Sequence, residues 1–399
     1  MPVSARSVNA KYELPPSIVR GGPLHDLLEW CGVMAADGLP TKRFIIGIAL
    51  FAWLLPIALA LLQTQLNPTY NGAEILTDWT VHTRFLIAIS VMLLTERYAD
   101  KRFTVLLDQF KHSQLVSVEG EKKFSRIVED SDRWSGASIP EYLLLVLAFI
   151  LPSLVVSYTL GLAGSSWEGH TNGGEQVLSW AGMAACYFST PLFQFLMFRW
   201  IWRFLVWTVM LYRISKMPLN LSPLHPDRCA GLGFLSIYPT VFTGFIFALS
   251  SVVAASIAKE ITLSKVSGDF VWIWMGCWVG LILILFVGPM LVFVRVLSMR
   301  REQAMLDFGR LCSRHHQAFH FKWMQQGDAN NADLLDSSDS VVLANLNSAV
   351  DTLNQMKAFP IDKATVIQIL LASGLPLLIA ATKLMSLTEI LKKLLSALV

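Results

Sequence analysis

Long apolar runs, each ended by a short polar or basic stretch, recur along the 399-residue chain. A hydrocarbon core about 30 Å thick needs roughly 20 apolar residues in an α-helix, and most of these runs have that length. We therefore predict an all-α fold, a polytopic transmembrane helical bundle of about seven spans. The predicted spans are residues 44–62, 81–94, 142–163, 177–198, 234–258, 270–297 and 364–384. The second run is the shortest, and an interfacial or re-entrant helix is the alternative there.

The segments between and around the spans give the rest of the organisation. Residues 1–42 precede a membrane bundle that extends over residues 43–297. Within it, residues 97–134 are charged and have the pattern of a helical insert outside the bilayer. Residues 298–363 form a second such segment before the last span. Residues 385–399 alternate apolar and basic positions in helical register, which is typical of an amphipathic helix on a membrane surface.

Lysine and arginine are distributed unevenly between the connections. Residues 63–80 and 164–176 contain neither, whereas residues 97–133 and 199–228 are rich in basic residues. Because basic connections stay on the cytoplasmic side, we predict that these two segments and the N-terminus are cytoplasmic. Seven spans then place the C-terminus outside, and a miscount by one would reverse its side.

Composition supports lipid as the solvent of this chain. Hydrophobic residues make up 54% and charged residues 15%, whereas soluble domains carry about 25% charged residues. The net charge of +3 gives no reason to expect a nucleic-acid partner. The five cysteines are odd in number and scattered, so no disulfide framework is predicted.

Motifs for common catalytic and cofactor sites are absent from the sequence. It contains no Walker loop, Rossmann glycine fingerprint, His-Glu-x-x-His helix or Gly-x-Ser-x-Gly elbow. The predicted spans hold no Asp or Glu, whereas proton-driven pumps usually relay protons through carboxylates in the bilayer. We predict no enzyme and no cofactor.

Proline occurs inside most of the predicted spans. These prolines are Pro56, Pro152, Pro191, Pro239, Pro289 and Pro376. Each lacks the backbone N–H of a helix hydrogen bond, so we expect departures from regular helix geometry.

Arg199 and Arg203 lie one helical turn apart, where the fourth span runs on into basic, Trp-rich sequence. A guanidinium at mid-bilayer costs from about 3 kcal/mol upward, so both must meet water, headgroups or acidic partners. One interpretation is that they extend to the inner interface as anchors. The alternative is a cationic ring around a pore or anion pathway in an oligomer.

A distinctive string precedes the fifth span. Its candidate functional residues are His225, Pro226, Asp227, Arg228, Gly231 and Gly233. Proline fixes φ and Asp227 can cap the following helix, which indicates a rigid interfacial turn. The alternative is a gating hinge, or an ion or anion site that uses Arg228 and the amides at the start of the span.

A thiol and two imidazoles recur four residues apart at Cys312, His316 and His320. On a helix they would share one face, within reach of a metal such as zinc. A fourth ligand is not evident, and a solvated helix face is the favoured interpretation.

Several segments resemble those of one protein family. They are His225 to Leu235, Phe321-Lys322-Trp323, Asp333-Leu334-Leu335-Asp336 and a proline-containing last span with an amphipathic tail. Over most of its length the chain resembles uncharacterised polytopic inner-membrane proteins of Gram-negative bacteria. The resemblance implies a multi-pass protein of the bacterial inner (plasma) membrane, and no mechanism.

Two functions remain open from the sequence. The first is an oligomeric channel or passive transporter of small ions, favoured by the proline-containing spans and the paired arginines. The second is a membrane scaffold or signalling component that docks a cytoplasmic partner and transports nothing. Its docking surface would be the apolar helical face formed by Leu343, Leu346, Val350 and Leu353.

Overall fold

The computed structural model describes residues 21–35, 37–67, 70–160, 167–172, 175–263, 268–321 and 338–384. The predicted amphipathic tail at 385–399 lies outside the described residues. So do the acidic motif at 333–336 and the last three residues of the predicted third span, 161–163.

Helices make up most of the described chain, and several contain stretches of another helical type. In chain order they are α1 (Pro23–Trp30), α2 (Lys42–Leu66), α3 (Trp79–Val81, π-helical His82–Ala88, then Ile89–His112), α4 (Glu121–Ser135) and α5 (Ser138–Leu160). There follow α6 (Trp180–Ala184, π-helical Ala185–Ser189, then Thr190–Ser215), α7 (3₁₀-helical Gly233–Phe242, then Thr243–Thr262), α8 (Gly268–Val287, 3₁₀-helical Gly288–Phe293, then Val294–His320), α9 (Ser338–Asn354) and α10 (Lys363–Ala381). A 3₁₀ turn at Gly72–Thr77 precedes α3.

The structure confirms a helical membrane bundle. Among the described residues, six helical stretches are long and apolar enough to cross a bilayer, and they lie in α2, α4–α5, α6, α7, α8 and α10. Residues 81–94 are not among the six. They belong to α3, which also carries Arg84, Glu96 and Arg97, and its crossing of the membrane stays a prediction.

Two short strands replace part of the predicted loop between the third and fourth spans. β1 (Gly169–Asn172) pairs antiparallel with β2 (Glu175–Leu178). The predicted fourth span therefore begins too early, because residues 177 and 178 lie in β2 and α6 starts at Trp180. Period and hydropathy do not separate a short apolar strand from the start of a helix.

The helices define two ends of the bundle. The hairpin end carries β1, β2 and the end of α7, where Lys259 Nζ donates to Asp78 Oδ2 just before α3 over 2.8 Å. The basic end carries α1 and the start of α2, where Arg97 of α3 contacts Asp37 and donates to Pro40 O. Because α3 makes contacts at both ends, it runs the length of the bundle.

Aromatic side chains fill the centre of the bundle between α6, α7 and α8. Trp207 stacks on Tyr238 with ring centroids 5.4 Å apart, and Trp200 stacks on Phe245 at 5.6 Å. Phe286 of α8 closes this group. The burial of these large rings fixes which face of α6 points inward.

Three of the six prolines coincide with changes of helix type. Pro191 follows the π-helical stretch of α6, and Pro239 and Pro289 lie within the 3₁₀ stretches of α7 and α8. The missing N–H explains why a regular ladder is interrupted there. Pro56 and Pro152 remain inside α-helix, as does the proline of α10.

The charged segment after α8 folds back on α8. The predicted apolar face of α9 packs there: Leu353 is buried, while Leu343, Leu346 and Val350 are partly buried. Arg301 donates to Asn354 O over 3.0 Å and fixes the end of α9. The chain itself thus supplies a partner surface for that face.

Candidate functional site

Four charged side chains from three helices meet inside the bundle near its basic end. Arg203 Nη1 on α6 donates to Glu96 Oε1 on α3 over 2.7 Å, and Arg199 Nη1 donates to the same oxygen over 3.2 Å. Oε1 of Glu141, on α5, lies 3.4 Å from Arg199 Nε without the alignment of a hydrogen bond. All four side chains are 10% exposed or less. We call these four residues the charge cluster.

The N-terminal segment covers the charge cluster on one side. Arg199 Nη2 lies 3.5 Å from Gly21 O, and the backbone N–H of Leu24, in the first turn of α1, donates to the Glu141 carboxylate. Gly22 has φ +94°, and a Cβ there would overlap Glu141 Oε2. Glycine at this position therefore lets α1 approach the carboxylate closely.

Arg199 and Arg203 thus meet acidic partners, one of the three environments that the sequence allows. Arg203 also lies over the Trp200 ring, 5.7 Å from its centroid. The carboxylates that neutralise them lie just beyond the apolar runs, at Glu96 and Glu141. No local pattern could have found this pairing, because Glu96 is 107 residues from Arg203.

A cavity of about 400 Å³ lies at the hairpin end, between α3, α5, α6 and α7. Much of its wall is apolar and is formed by Pro152, Leu178, Phe193, Met197 and Val252. This volume is in the lower part of the range of small-molecule pockets. We call it the Arg84 cavity, after the one arginine among its lining residues.

Arg84 is a partly buried cation at this cavity. It forms no hydrogen bond or salt bridge with any residue that the structure describes, although the charges of Glu168 and Asp78 act on it. Gln194 also lines this cavity, and its Oε1 is buried and has no hydrogen-bond partner in the described chain. A partly buried guanidinium without a hydrogen bond to the described part of the chain marks a candidate functional position.

Both π-helical stretches border the Arg84 cavity. Arg84 belongs to His82–Ala88, and Ala185 and Cys186 belong to Ala185–Ser189. Short π-helical stretches are frequent at functional sites, because they shift side chains out of the regular helical register. The sequence analysis did not single out Arg84, which lies within the short second run at residues 81–94.

Asp78 ties the hairpin end together. Its carboxylate accepts hydrogen bonds from Lys259, from Trp167 Nε1 over 3.1 Å and from the backbone N–H of Thr80 over 2.9 Å. Burial favours the protonated acid, but these donors outweigh it and lower the pKa of Asp78 to about 2. Asp78 is therefore ionised at neutral pH and links the start of α3 to α7 and the hairpin.

The distinctive string before α7 forms a turn closed around Asp227. The Asp227 carboxylate accepts from the backbone N–H groups of Cys229, Gly231 and Gly233 over 2.8, 3.1 and 2.8 Å. Burial raises its pKa, but these three bonds and the nearby His225 outweigh that effect and hold the pKa below its usual range. The amides that an anion would use here already donate to Asp227.

The other residues of this string hold its backbone or face outward. Arg228 has φ +57° and its carbonyl accepts from the N–H of Lys357 over 2.7 Å. Gly231 has φ +95°, which favours glycine. The side chains of His225, Pro226 and Arg228 are exposed.

Cys312, His316 and His320 lie on the last part of α8, and the ring of His316 contacts the carbonyl of Cys312 rather than its thiol. They do not form a group of converging ligand atoms. Within the described ranges, one group of three possible ligand atoms lies within 4.8 Å, and it consists of His25, Asp26 and Glu29 on α1. Exposed acidic groups of this kind are common without a metal.

Comparison with known proteins gives no relative to guide the assignment. No protein-family model, no curated protein sequence and no solved structure matches the chain. The resemblance to inner-membrane proteins of Gram-negative bacteria stays a prediction, and function must be argued from the site.

Proposed function

We propose that this multi-pass membrane protein is a passive transporter of small anions in a bacterial inner membrane. The observation that carries the proposal is the Arg84 cavity, which enters the bundle beside an arginine with no hydrogen-bonded partner among the described residues. A partly buried cation without such a partner among the described residues attracts an anion.

The position of the charge cluster supports a closed inner end. Arg199 follows Gln194 of the cavity by five residues on α6, which is about 8 Å along a helix. The hydrogen bonds between Glu96 and the two arginines close the bundle at that level. In this proposal the cluster is a gate, and Arg84 takes the anion-attracting role that the sequence analysis gave to Arg199 and Arg203.

The predicted topology gives the gate and the cavity opposite sides in this proposal. If the basic segments are cytoplasmic, as the sequence predicts, the hairpin end with the Arg84 cavity lies on the outer side and the charge cluster lies on the inner side. The proposed path lies within one chain, so it needs no ring of subunits. A homo-oligomer stays a prediction.

The scaffold alternative retains one supporting observation. Helix α9 covers its main apolar face with α8, but Val341 and Val342 are exposed on its outer side. A cytoplasmic partner could dock there. Stable co-purification of such a partner, lost in Val341→Asp, would favour this alternative.

Flux into liposomes tests the transport proposal. Purified protein is reconstituted, and uptake of chloride, nitrate, acetate and isocaproate is compared with empty liposomes. We expect protein-dependent flux of at least one anion, reduced by Arg84→Gln. The matched control is Arg102→Gln, which removes the same charge from the basic end of α3, outside the cavity.

The outcome that overturns the proposal is equally direct. Folded, monodisperse wild-type protein that moves none of these anions faster than empty liposomes is not a passive anion transporter. Equal losses in Arg84→Gln and Arg102→Gln would remove the Arg84 cavity from the pathway.

A further inference from the structure

The Arg84 cavity contains groups that together select for one kind of ligand. An arginine and an amide oxygen that have no hydrogen-bond partner among the described residues line the same space as several apolar side chains. We propose that the cavity binds a small organic monocarboxylate that carries an apolar body and one O–H or N–H donor. This inference rests on the proposed transport function and names its substrate class.

The anionic end of the ligand follows from Arg84. A guanidinium presents N–H donors in a planar fork that matches the two oxygens of a carboxylate. Since the Arg84 side chain makes no hydrogen bond within the described chain, this fork is available to a ligand. Glu168, which also lines the cavity, adds a negative charge that disfavours a dianion.

The hydrogen-bond donor of the ligand follows from Gln194. Its Oε1 is shielded from water and accepts no bond from a described residue. A buried acceptor without a donor is unfavourable, and a ligand O–H or N–H would satisfy it. A hydroxyl next to the carboxylate and an amino group both fit this requirement.

The apolar body of the ligand follows from the walls. Phe193, Met197 and Val252 line the cavity together with Pro152 and Leu178. Chloride and inorganic phosphate would leave these walls without contacts. A branched aliphatic chain of a few carbons would bury apolar surface against them, which favours binding.

Calorimetric titration of the full-length protein in nanodiscs tests the substrate class. The probes are isocaproate, hydroxyisocaproate, leucine, isocaproamide, chloride and phosphate. We expect hydroxyisocaproate or leucine to bind most tightly, isocaproate next, and isocaproamide, chloride and phosphate at least tenfold more weakly. Hydroxyisocaproate and leucine distinguish a hydroxy acid from an amino acid as the ligand.

Variants connect the binding to the two side chains. Arg84→Gln should weaken the best carboxylate by roughly 10- to 100-fold, because hydrogen bonds to charged groups contribute about 1.5–3 kcal/mol. Arg84→Lys should weaken it less, since the charge remains. Gln194→Leu should abolish the preference for the donor-bearing probe over isocaproate. Arg102→Gln should leave all affinities unchanged.

Each contrary result has a defined meaning. Equal binding of isocaproamide and isocaproate, or tight binding of chloride or phosphate alone, overturns the substrate class even if liposome flux is observed. No binding of any probe by folded wild-type protein, which needs no variant, overturns the site. Arg84-dependent carboxylate binding without flux leaves the site in place and removes the transport function.

Discussion

Replacing Glu96 with glutamine removes the one carboxylate that hydrogen-bonds to both arginines of the charge cluster. The substitution keeps the size and one acceptor oxygen but deletes the charge. The side chains of Glu96 and Arg203 are 3% and 2% exposed, so water cannot take over the pairing. Arg199 keeps its contact with Glu141, whereas the strongest described contact of Arg203, at 2.7 Å, loses its charge.

The expected loss of folding free energy is large for a single substitution. Removing one partner of a buried ion pair costs about 3–5 kcal/mol, because the remaining charge is left in a poorly solvating interior. An exposed pair provides the control. Arg213 and Asp130 lie 3.3 Å apart with side chains 34% and 48% exposed, and Asp130→Asn should cost at most about 1 kcal/mol.

Equilibrium unfolding in mixed micelles, followed by tryptophan fluorescence, measures both variants. The double variant Glu96→Met with Arg203→Met should lose less stability than Glu96→Gln alone, because an apolar pair leaves no uncompensated charge. If Glu96→Gln is no more destabilising than Asp130→Asn, the four side chains do not form a buried charge cluster, and the gate assignment fails.

Three further predictions concern topology, reactivity and pH. A cysteine introduced at Gly169 should react with a membrane-impermeant maleimide in intact cells and one at Ser125 should not; the reverse pattern would invert the orientation. Burial and the nearby negative charge raise the pKa of Cys229 to about 11, so only about one thiol in a thousand is ionised at pH 8 and it should alkylate more slowly than the exposed Cys31; equal rates would contradict its burial. The pKa of Asp78 is lowered to about 2, so its ionised form stabilises the fold above about pH 4. This contribution to the free energy of unfolding decreases by roughly 2 kcal/mol as the pH falls toward 2. An Asp78→Asn variant that shows the same acid-induced loss of stability as wild type would refute this.

Local hydropathy was sufficient to predict most of the membrane bundle. A span such as α2 is a continuous apolar run, and lipid contact depends on composition rather than on distant residues. Residues 81–94 were the weakest prediction because hydropathy assumes that a helix is surrounded by lipid. Helix α3 is surrounded by other helices and tolerates charges that lipid would not.

The candidate site could not be predicted, because its parts are distant in sequence. Glu96 and Arg203 are brought together by packing of α3 against α6, and Gln194 faces the Arg84 cavity only because of the phase of α6. Paired arginines are conspicuous in a sequence, but Arg199 and Arg203 already donate hydrogen bonds to a carboxylate of the same chain. Arg84 is the more informative residue. Its significance appears only in the structure, because no described residue forms a hydrogen bond or salt bridge with it.

The π-helical stretch of α6 acts as a phase shifter between the two halves of that helix. Each residue of an α-helix turns the chain by about 100°, so an extra residue within Ala185–Ser189 rotates everything after it by that amount. Deleting one residue there would leave α6 intact as a helix while turning Arg199 and Arg203 away from α3. The angular relation between the two halves of α6 is therefore encoded in a residue count, and a length change of one in this stretch would rotate Gln194, Arg199 and Arg203 together relative to Gly182, which also lines the cavity.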